Sequence, residues 1–293
     1  MEELRKAGLW RETLKAARPH QWVKNLLVFV PLVTSHRLAE SETFARASLA
    51  FLAMSLCASA VYVMNDLFDL GTDRAHPVKR GRPFASGRLP RSHGPPLAAG
   101  LLLASLAVGW GLPLRFRGVL ALYLCLTTAY TLLLRDTTLV DVFCLAAFYT
   151  LRVVAGHAVS GIPYSPWLSA FSMFFFLGLA VLKRYAELLT ARGTHRGYQP
   201  GDEGVLLALG TACGALSVLV FALYIDSRQV ALLYTRPALL WLICPLLLFC
   251  VGRVWFLVRR GKVEDDPVVF ALKDGTSYAV GALVALVLFA AAR

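Results

Sequence analysis

The sequence predicts an all-α, polytopic membrane protein, a single domain of about nine transmembrane helices covering residues 1–293. Three observations lead there. Hydrophobic residues make up 57% of the chain and charged residues only 16%, with positive mean hydropathy, a balance too apolar for an ordinary soluble domain of this size. Apolar runs persist for about the 20 residues that one bilayer crossing needs, instead of breaking every ~4–8 residues as buried strands do. The cations behind the net charge of +12 gather in alternate loops, the asymmetry expected of a multi-pass chain.

Residues 1–20 read as a short amphipathic helix on the cytoplasmic membrane surface, with Leu4, Trp10 and Leu14 set among Arg5, Lys6, Arg11 and Lys15. This stretch runs into the first span without the small-residue cleavage pattern of a secretory signal. Spans are expected at 22–38, 44–65, 96–114, 118–134, 138–160, 166–184, 204–225, 237–256 and 276–292. Lys24, Asn25 and Pro31 interrupt the first of these, so a short or broken helix whose polar part faces a cavity is expected there. One set of loops carries the six N-terminal cations, the six from Arg74 to Arg91, Arg135, Lys183, Arg184, Arg192, Arg196, and five more between Arg253 and Lys273. The opposite set carries Arg37, Arg46, Arg115, Arg117, Arg228, Arg236 and Arg293. The richer side is assigned to the cytoplasm of an inner-membrane protein, which puts the N-terminus inside and the C-terminus outside.

No nucleic-acid motif accompanies the positive charge, so it is assigned to topology and to anionic headgroups, with no nucleic acid as partner. The six cysteines stand singly in apolar runs and read as small buried hydrophobes.

The densest polar group follows the second span: Asn65-Asp66-Leu67-Phe68-Asp69-Leu70-Gly71-Thr72-Asp73. On a helix Asp66, Asp69 and Asp73 fall within about 60° of one another, with Asn65 at the edge of that face. Three carboxylates so placed repel, and the local sequence offers no matching set of cations, so a divalent cation is the natural neutraliser. Hard oxygen donors with positions left for phosphate favour Mg²⁺ over zinc or copper. A solvated helix end is the plainer alternative, weighed down by the adjoining span and by what comes next. From His76-Pro77 to Gly87 runs a Gly- and Pro-shaped loop bearing Lys79, Arg80 and Arg82. Carboxylates beside a cationic loop suit a diphosphate, whose leaving oxygens the metal and the cations neutralise together. Lys79 and Arg82 are assigned to that task, while Arg88 and Arg91 read as ordinary loop cations.

A second cluster ends the sixth span: Lys183, Arg184, Tyr185 and Glu187, with Lys183 and Glu187 sharing a face. Lys183 follows directly on an apolar run, which makes it the costlier charge to leave unused; Arg184 fits a snorkelling interface role equally well. Further candidates are Arg18, Gln21, Lys24 and Asn25 at the first span, and Asp141, Tyr149 and Arg152 in the fifth. Asp141 and Arg152 are separated by about 16 Å along a helix, so each needs another partner. Glu264-Asp265-Asp266-Pro267 reads as a solvated loop, with closure over the site as the alternative.

The spacing Asn65-Asp66-x-x-Asp69-x-x-x-Asp73 resembles the first signature of the UbiA-type intramembrane prenyltransferases. Within that superfamily the chain is more similar to the decaprenyl-phosphate phosphoribosyltransferases. That likeness rests on Arg18-Pro19-His20-Gln21-Trp22-Val23-Lys24-Asn25, the Val61-Tyr62 lead-in, His76-Pro77 through Gly87, and Lys183-Arg184-Tyr185-Ala186-Glu187-Leu188, and it covers nearly the whole chain in order. Aromatic prenyltransferases of the superfamily carry a second aspartate-rich motif where this chain has Lys183, Arg184 and Glu187.

The resemblance implies a UbiA-like bundle with a cytoplasm-facing active site and a reaction between phosphoribosyl pyrophosphate and a polyprenyl phosphate. Asp66, Asp69 and Asp73 would hold Mg²⁺ on the donor pyrophosphate. Arg18, Gln21, Lys24, Asn25, Tyr62, Asn65, Lys79, Arg82, Arg152, Lys183, Arg184, Tyr185 and Glu187 would bind the two substrates, with Lys183 among the catalytic set. In the relatives this step feeds lipid-linked sugar donors for cell-envelope polymers, and self-association into homo-oligomers is compatible with the family. Two rival readings remain. An aromatic prenyltransferase of a quinone or haem pathway should show a second carboxylate cluster. A transporter or flippase would use Asp141 and Arg152 along a path but explains neither the three-aspartate face nor the lack of internal symmetry.

Overall fold

The computed structural model describes residues 2–190, 197–262, 270 and 274–292. Within these residues all regular structure is helical. Helix α1 (Glu2–Ala17) precedes a 3-10 segment, Pro19–Phe29, and the short α2 (Val30–Thr34). Then come α3 (Ser41–Phe68), α4 (Leu70–Ala75), α5 (Gly94–Trp110), and α6 (Leu114–Ala129), which runs on as a π turn, Tyr130–Leu134. The remainder comprises α7 (Val140–Ser160), α8 (Pro166–Thr190), α9 (Glu203–Ile225), α10 (Arg228–Leu233), a 3-10 lead-in Pro237–Leu242 into α11 (Ile243–Arg259), and α12 (Gly275–Ala292).

Seven helices among the described residues are long and apolar enough to cross a membrane. Two of the nine expected spans fall short. The stretch 22–38 is 3-10 helix as far as Phe29 and only a five-residue α-helix after it: Arg18 leads into the segment in the left-handed region (φ 53°), and the proline nitrogens at 19 and 31 donate nothing to a helical ladder. The third span is the 17-residue α5, followed by Gly111 and by Pro113, which caps the next helix. Glu264-Asp265-Asp266-Pro267, Arg192, His195, Arg196 and Lys273 lie outside the described residues.

The chain forms two compact units: Met1–Leu132 with Leu151–Pro163, and Leu133–Thr150 with Tyr164–Arg293. In the first, Ser105 Oγ of α5 donates to the Ala53 carbonyl of α3 at 2.7 Å. The 3-10 segment lies along α3, where Trp22 Nε1 donates to Ser59 Oγ and Asn25 Nδ2 to Ser55 Oγ, each at 2.9 Å. Gly156 of α7 crosses that segment so closely that a Cβ there would stand 2.2 Å from the Val28 carbonyl oxygen.

In the second unit α8, α9 and α11 meet on glycines. A Cβ on Gly210 would lie 2.2 Å from Trp255 Cζ2, and one on Gly214 would lie 2.4 Å from Val251 Cγ1. The Gly210-x-x-x-Gly214 spacing lets two helices approach α9 to backbone distance, the usual means of association where lipid removes the hydrophobic drive between helices.

Candidate active site

The last two turns of α3 carry Tyr62, Asn65 and Asp66, and the chain then breaks at Asp69 without losing helical register. The Asp69 amide donates to the Asn65 carbonyl at 2.9 Å and the Asp73 amide to the Asp69 carbonyl at 2.8 Å. Register across the break therefore keeps Asp73 of α4 on the Asp66 side. His76, held extended before Pro77, ends α4.

Asp66 and Asp73 are each only 2% exposed, and two guanidiniums hold them. Arg82 Nη1 donates to Asp66 Oδ1 at 3.1 Å and to Asp73 Oδ2 at 2.6 Å. Arg18 Nη2 donates to Asp66 Oδ1 at 2.5 Å, and its guanidinium carbon stands 5.3 Å from the Tyr62 ring centre. Burial pushes the Arg18 guanidinium below its ordinary pKa, while Asp66 opposes that shift. The left-handed backbone at Arg18 costs roughly 1–2 kcal/mol, and its contacts with Asp66 and Tyr62 offset that strain.

The expected convergence of three carboxylates differs from what is observed. No group of three or more His, Cys, Asp or Glu side chains among the described residues is arranged to hold a metal ion. Asp69 stands half-exposed at the helix break, and the cations that neutralise Asp66 and Asp73 come from outside their helices: Arg18, 48 residues from Asp66, and Arg82, 9 residues from Asp73, contacts that helix periodicity could not reveal. One oxygen of the site remains available: Asp66 Oδ2 is buried without a hydrogen-bond partner.

Hydrophobic anchors position the cationic loop. Phe84 and Leu89, each 1% exposed, enter one core with Ala16, Val63, Leu70 and Ala98, which fixes Arg82 two residues before an anchored ring. His76 Nδ1 accepts from the Val78 and Lys79 amides at 3.2 and 3.3 Å, shaping the turn that carries Lys79. Arg88 pairs with Glu12 at 3.3 Å and so ties the loop to α1. Gln21 and Lys24 are half-buried on the 3-10 segment.

Arg152 and Asn25, proposed separately from the sequence, meet. Arg152 Nε donates to Asn25 Oδ1 at 2.6 Å and its Nη2 to Tyr123 Oη at 3.1 Å, with the guanidinium 5.1 Å from that ring's centre. Asn65 Oδ1 accepts from Thr131 Oγ1 at 2.9 Å. Tyr123, Thr131, Ser55 and Ser59 went unnoticed in the sequence because a lone hydroxyl in an apolar run is common in cores.

The second unit holds the basic cluster. Arg184 Nε donates to Asp141 Oδ2 at 2.5 Å, and Arg184 Nη1 donates to Glu187 Oε2. Tyr198 Oη donates to Asp141 Oδ1 at 2.6 Å and accepts from the Leu139 amide at 3.1 Å. Burial, then the bond to Asp141, pushes the Tyr198 phenol up. Tyr185 is buried with its ring 5.5 Å from that of Trp255, a packing role. Lys183, half-buried on α8, precedes the fully engaged Arg184.

Residues 28–273 match the model of the UbiA prenyltransferase family. The chain is 39% identical over 285 residues to the uncharacterized protein y4nM of Sinorhizobium fredii, covering 94% of this chain and spanning 55%, about half, of that relative's length. It is 32% identical to the nodulation protein NoeC of Azorhizobium caulinodans, over 90% of this chain and 87% of that protein. To the decaprenyl-phosphate phosphoribosyltransferase of Mycolicibacterium smegmatis it is 33% identical, over 89% of this chain and 86% of that one. A UbiA homolog from Archaeoglobus fulgidus, solved bound to DMAPP and Mg²⁺, shares the fold with a TM-score of 0.71 at 16% identity, over 94% of this chain and 96% of that one. With the family model covering residues 28–273, most of its length, the chain belongs to the UbiA prenyltransferase family and is a multi-pass membrane protein.

Proposed function

We propose that the protein transfers 5-phosphoribose from phosphoribosyl pyrophosphate to a polyprenyl phosphate and releases pyrophosphate. The observation that carries this reading is the chain's charge pattern: one acidic cluster at Asp66, Asp69 and Asp73 and one basic cluster at Lys183 and Arg184, instead of two acidic ones. The names of several relatives, decaprenyl-phosphate phosphoribosyltransferases of mycobacteria, support the same donor and acceptor.

The acidic site fits Mg²⁺ in donor chemistry: its ligands are hard carboxylate oxygens, and Asp66 Oδ2 is buried and uncommitted. The buried Asp66 and Asp73, with Asp69 at the half-exposed helix break beside them, would hold Mg²⁺, which when bound supplies positive charge to the departing pyrophosphate. Arg18, Lys79 and Arg82 bind the remaining phosphate oxygens of the donor, and Lys183 binds the lipid phosphate. Arg184, committed to Asp141 and Glu187, positions the helix turn that carries Lys183. An acceptor phosphate oxygen attacks C1 of the ribose while the C1–O bond to pyrophosphate breaks, its electron pair leaving with pyrophosphate. The acceptor is already an anion, so no general base is needed, and orientation with charge stabilisation supplies the rate. The donor enters from the cytoplasm, and the lipid from the bilayer.

The test supplies the purified full chain in detergent with ribose-labelled phosphoribosyl pyrophosphate, polyprenyl phosphate and Mg²⁺, and in parallel with prenyl diphosphate and 4-hydroxybenzoate. Label is expected in the lipid extract from the first pair only, falling by ~10²-fold or more in Asp66→Ala. Turnover of prenyl diphosphate with none of phosphoribosyl pyrophosphate makes the protein an aromatic prenyltransferase instead.

A further inference from the structure

In the acidic site one nitrogen, Arg82 Nη1, touches both buried carboxylates, at 3.1 Å from Asp66 Oδ1 and 2.6 Å from Asp73 Oδ2. Arg18 takes the same Asp66 oxygen at 2.5 Å. A cation bridging Asp66 and Asp73 needs the position that this guanidinium nitrogen fills, and two cations packed there repel one another.

The bridge is also unevenly buried. The Arg82 side chain is 27% exposed, whereas those of Asp66 and Asp73 are 2% and 3% exposed, so the arginine is the part of the bridge that an incoming anion meets first. Its backbone is extended (φ −63°, ψ 149°) between the turn Lys79–Gly81 and the buried ring of Phe84, and this anchoring leaves the guanidinium, not the loop, to change partners. Asp66 Oδ2, buried without a hydrogen-bond partner, is an oxygen that neither arginine uses.

We infer that Arg82 is a resident counter-ion that keeps free divalent cations off the acidic site until a phosphate-bearing donor draws its guanidinium away. Metal and donor then enter together: the donor's oxygens take over Arg82 while the metal takes over its carboxylates. No ion is left unpaired in the exchange: the carboxylates trade a monovalent guanidinium for a divalent metal, and the displaced guanidinium pairs with the anionic donor that arrives with it. This inference rests on the acidic site being the donor site, as proposed above, and it adds an order of binding specific to Arg82.

Equilibrium dialysis of the detergent-purified full chain with radiolabelled Mn²⁺, with and without phosphoribosyl pyrophosphate, reads the exchange directly. The wild type is expected to bind Mn²⁺ at least tenfold more tightly with the donor than without it. Arg82→Gln is expected to bind Mn²⁺ without donor at least tenfold more tightly than the wild type, and to lose most of the donor's effect. Donor-free binding in the wild type as tight as donor-bound binding overturns the counter-ion role without recourse to any variant. Unchanged or weaker donor-free binding in a folded Arg82→Gln overturns it too, while donor-dependent Mn²⁺ binding that disappears in Asp66→Asn leaves the donor site standing. Absence of Mn²⁺ binding by the wild type under every condition refutes the metal site itself, and the inference with it.

Discussion

Asp141 is fully buried, and the guanidinium of Arg184 that answers it is 3% exposed. Neither charge can be hydrated in place, so each is tolerated only through its partners: Arg184 and Tyr198 for Asp141, Asp141 and Glu187 for Arg184. Removing one partner strands the second, which costs about 3–5 kcal/mol, whereas replacing both with apolar groups of similar volume is close to neutral. Asp141→Asn is therefore expected to lower the thermal unfolding midpoint in detergent sharply, and Arg184→Met added to it should restore much of the loss. Additive losses in the double variant contradict the pairing. At this scale the sequence pointed to Asp141 and Arg152 because isolated charges in apolar runs need a reason. Their partners were not legible: Asn25 lies 127 residues from Arg152, and Tyr198 lies 57 from Asp141. The same holds for Arg18 and Arg82, which answer Asp66 across 48 and 16 residues. Periodicity sees one face of one helix, and these pairs form between elements.

Among the elements, α8, α9 and α11 depend on the missing side chain at Gly210, whose place Trp255 fills. Gly210→Ala must displace that indole, which already rests against Tyr185, and overpacking of this kind costs about 1–3 kcal/mol. Gly252→Ala on α11 is the matched control, since a Cβ there meets nothing within 4 Å and alanine favours the helix. Thermal unfolding should drop for the first and hold or rise for the second; equal behaviour refutes the glycine contact.

Helices α11 and α12 are joined differently, by Arg253 Nη1 and Nη2 donating to the Asp274 carboxylate at 2.7 and 2.9 Å. The bond to Arg253 and those from Ser277 hold the Asp274 carboxyl down to about 2. A depressed carboxylate stabilises the fold above its unfolded pKa and loses that contribution as pH falls through the folded value, here between about pH 4 and 2. Carboxyl NMR of Asp274 should give a midpoint near 2 that returns to the ordinary aspartate range in Arg253→Gln; an ordinary midpoint in the wild type contradicts the contact. Long apolar helices were legible because twenty lipid-compatible residues leave few other structures. The 3-10 path of 19–29 was not, since its shape follows from the left-handed turn at Arg18 and the close crossing at Gly156.

For the whole molecule, each compact unit owns one charged cluster: the carboxylates of α3 and α4 in the first, the basic turn of α8 in the second. The UbiA membership was legible from the spacing Asn65-Asp66-x-x-Asp69-x-x-x-Asp73, because a metal and phosphate site restricts which residues can stand where. Donor identity is the central claim, and positional labelling tests it most directly. Phosphoribosyl pyrophosphate carrying ³²P in the 5-phosphate, or alternatively in the pyrophosphate, is supplied with polyprenyl phosphate and Mg²⁺ to the purified protein. The account predicts that the 5-phosphate label enters the lipid extract and that the pyrophosphate label stays in the aqueous phase as free pyrophosphate. Pyrophosphate label in the lipid, or neither label transferred, contradicts it.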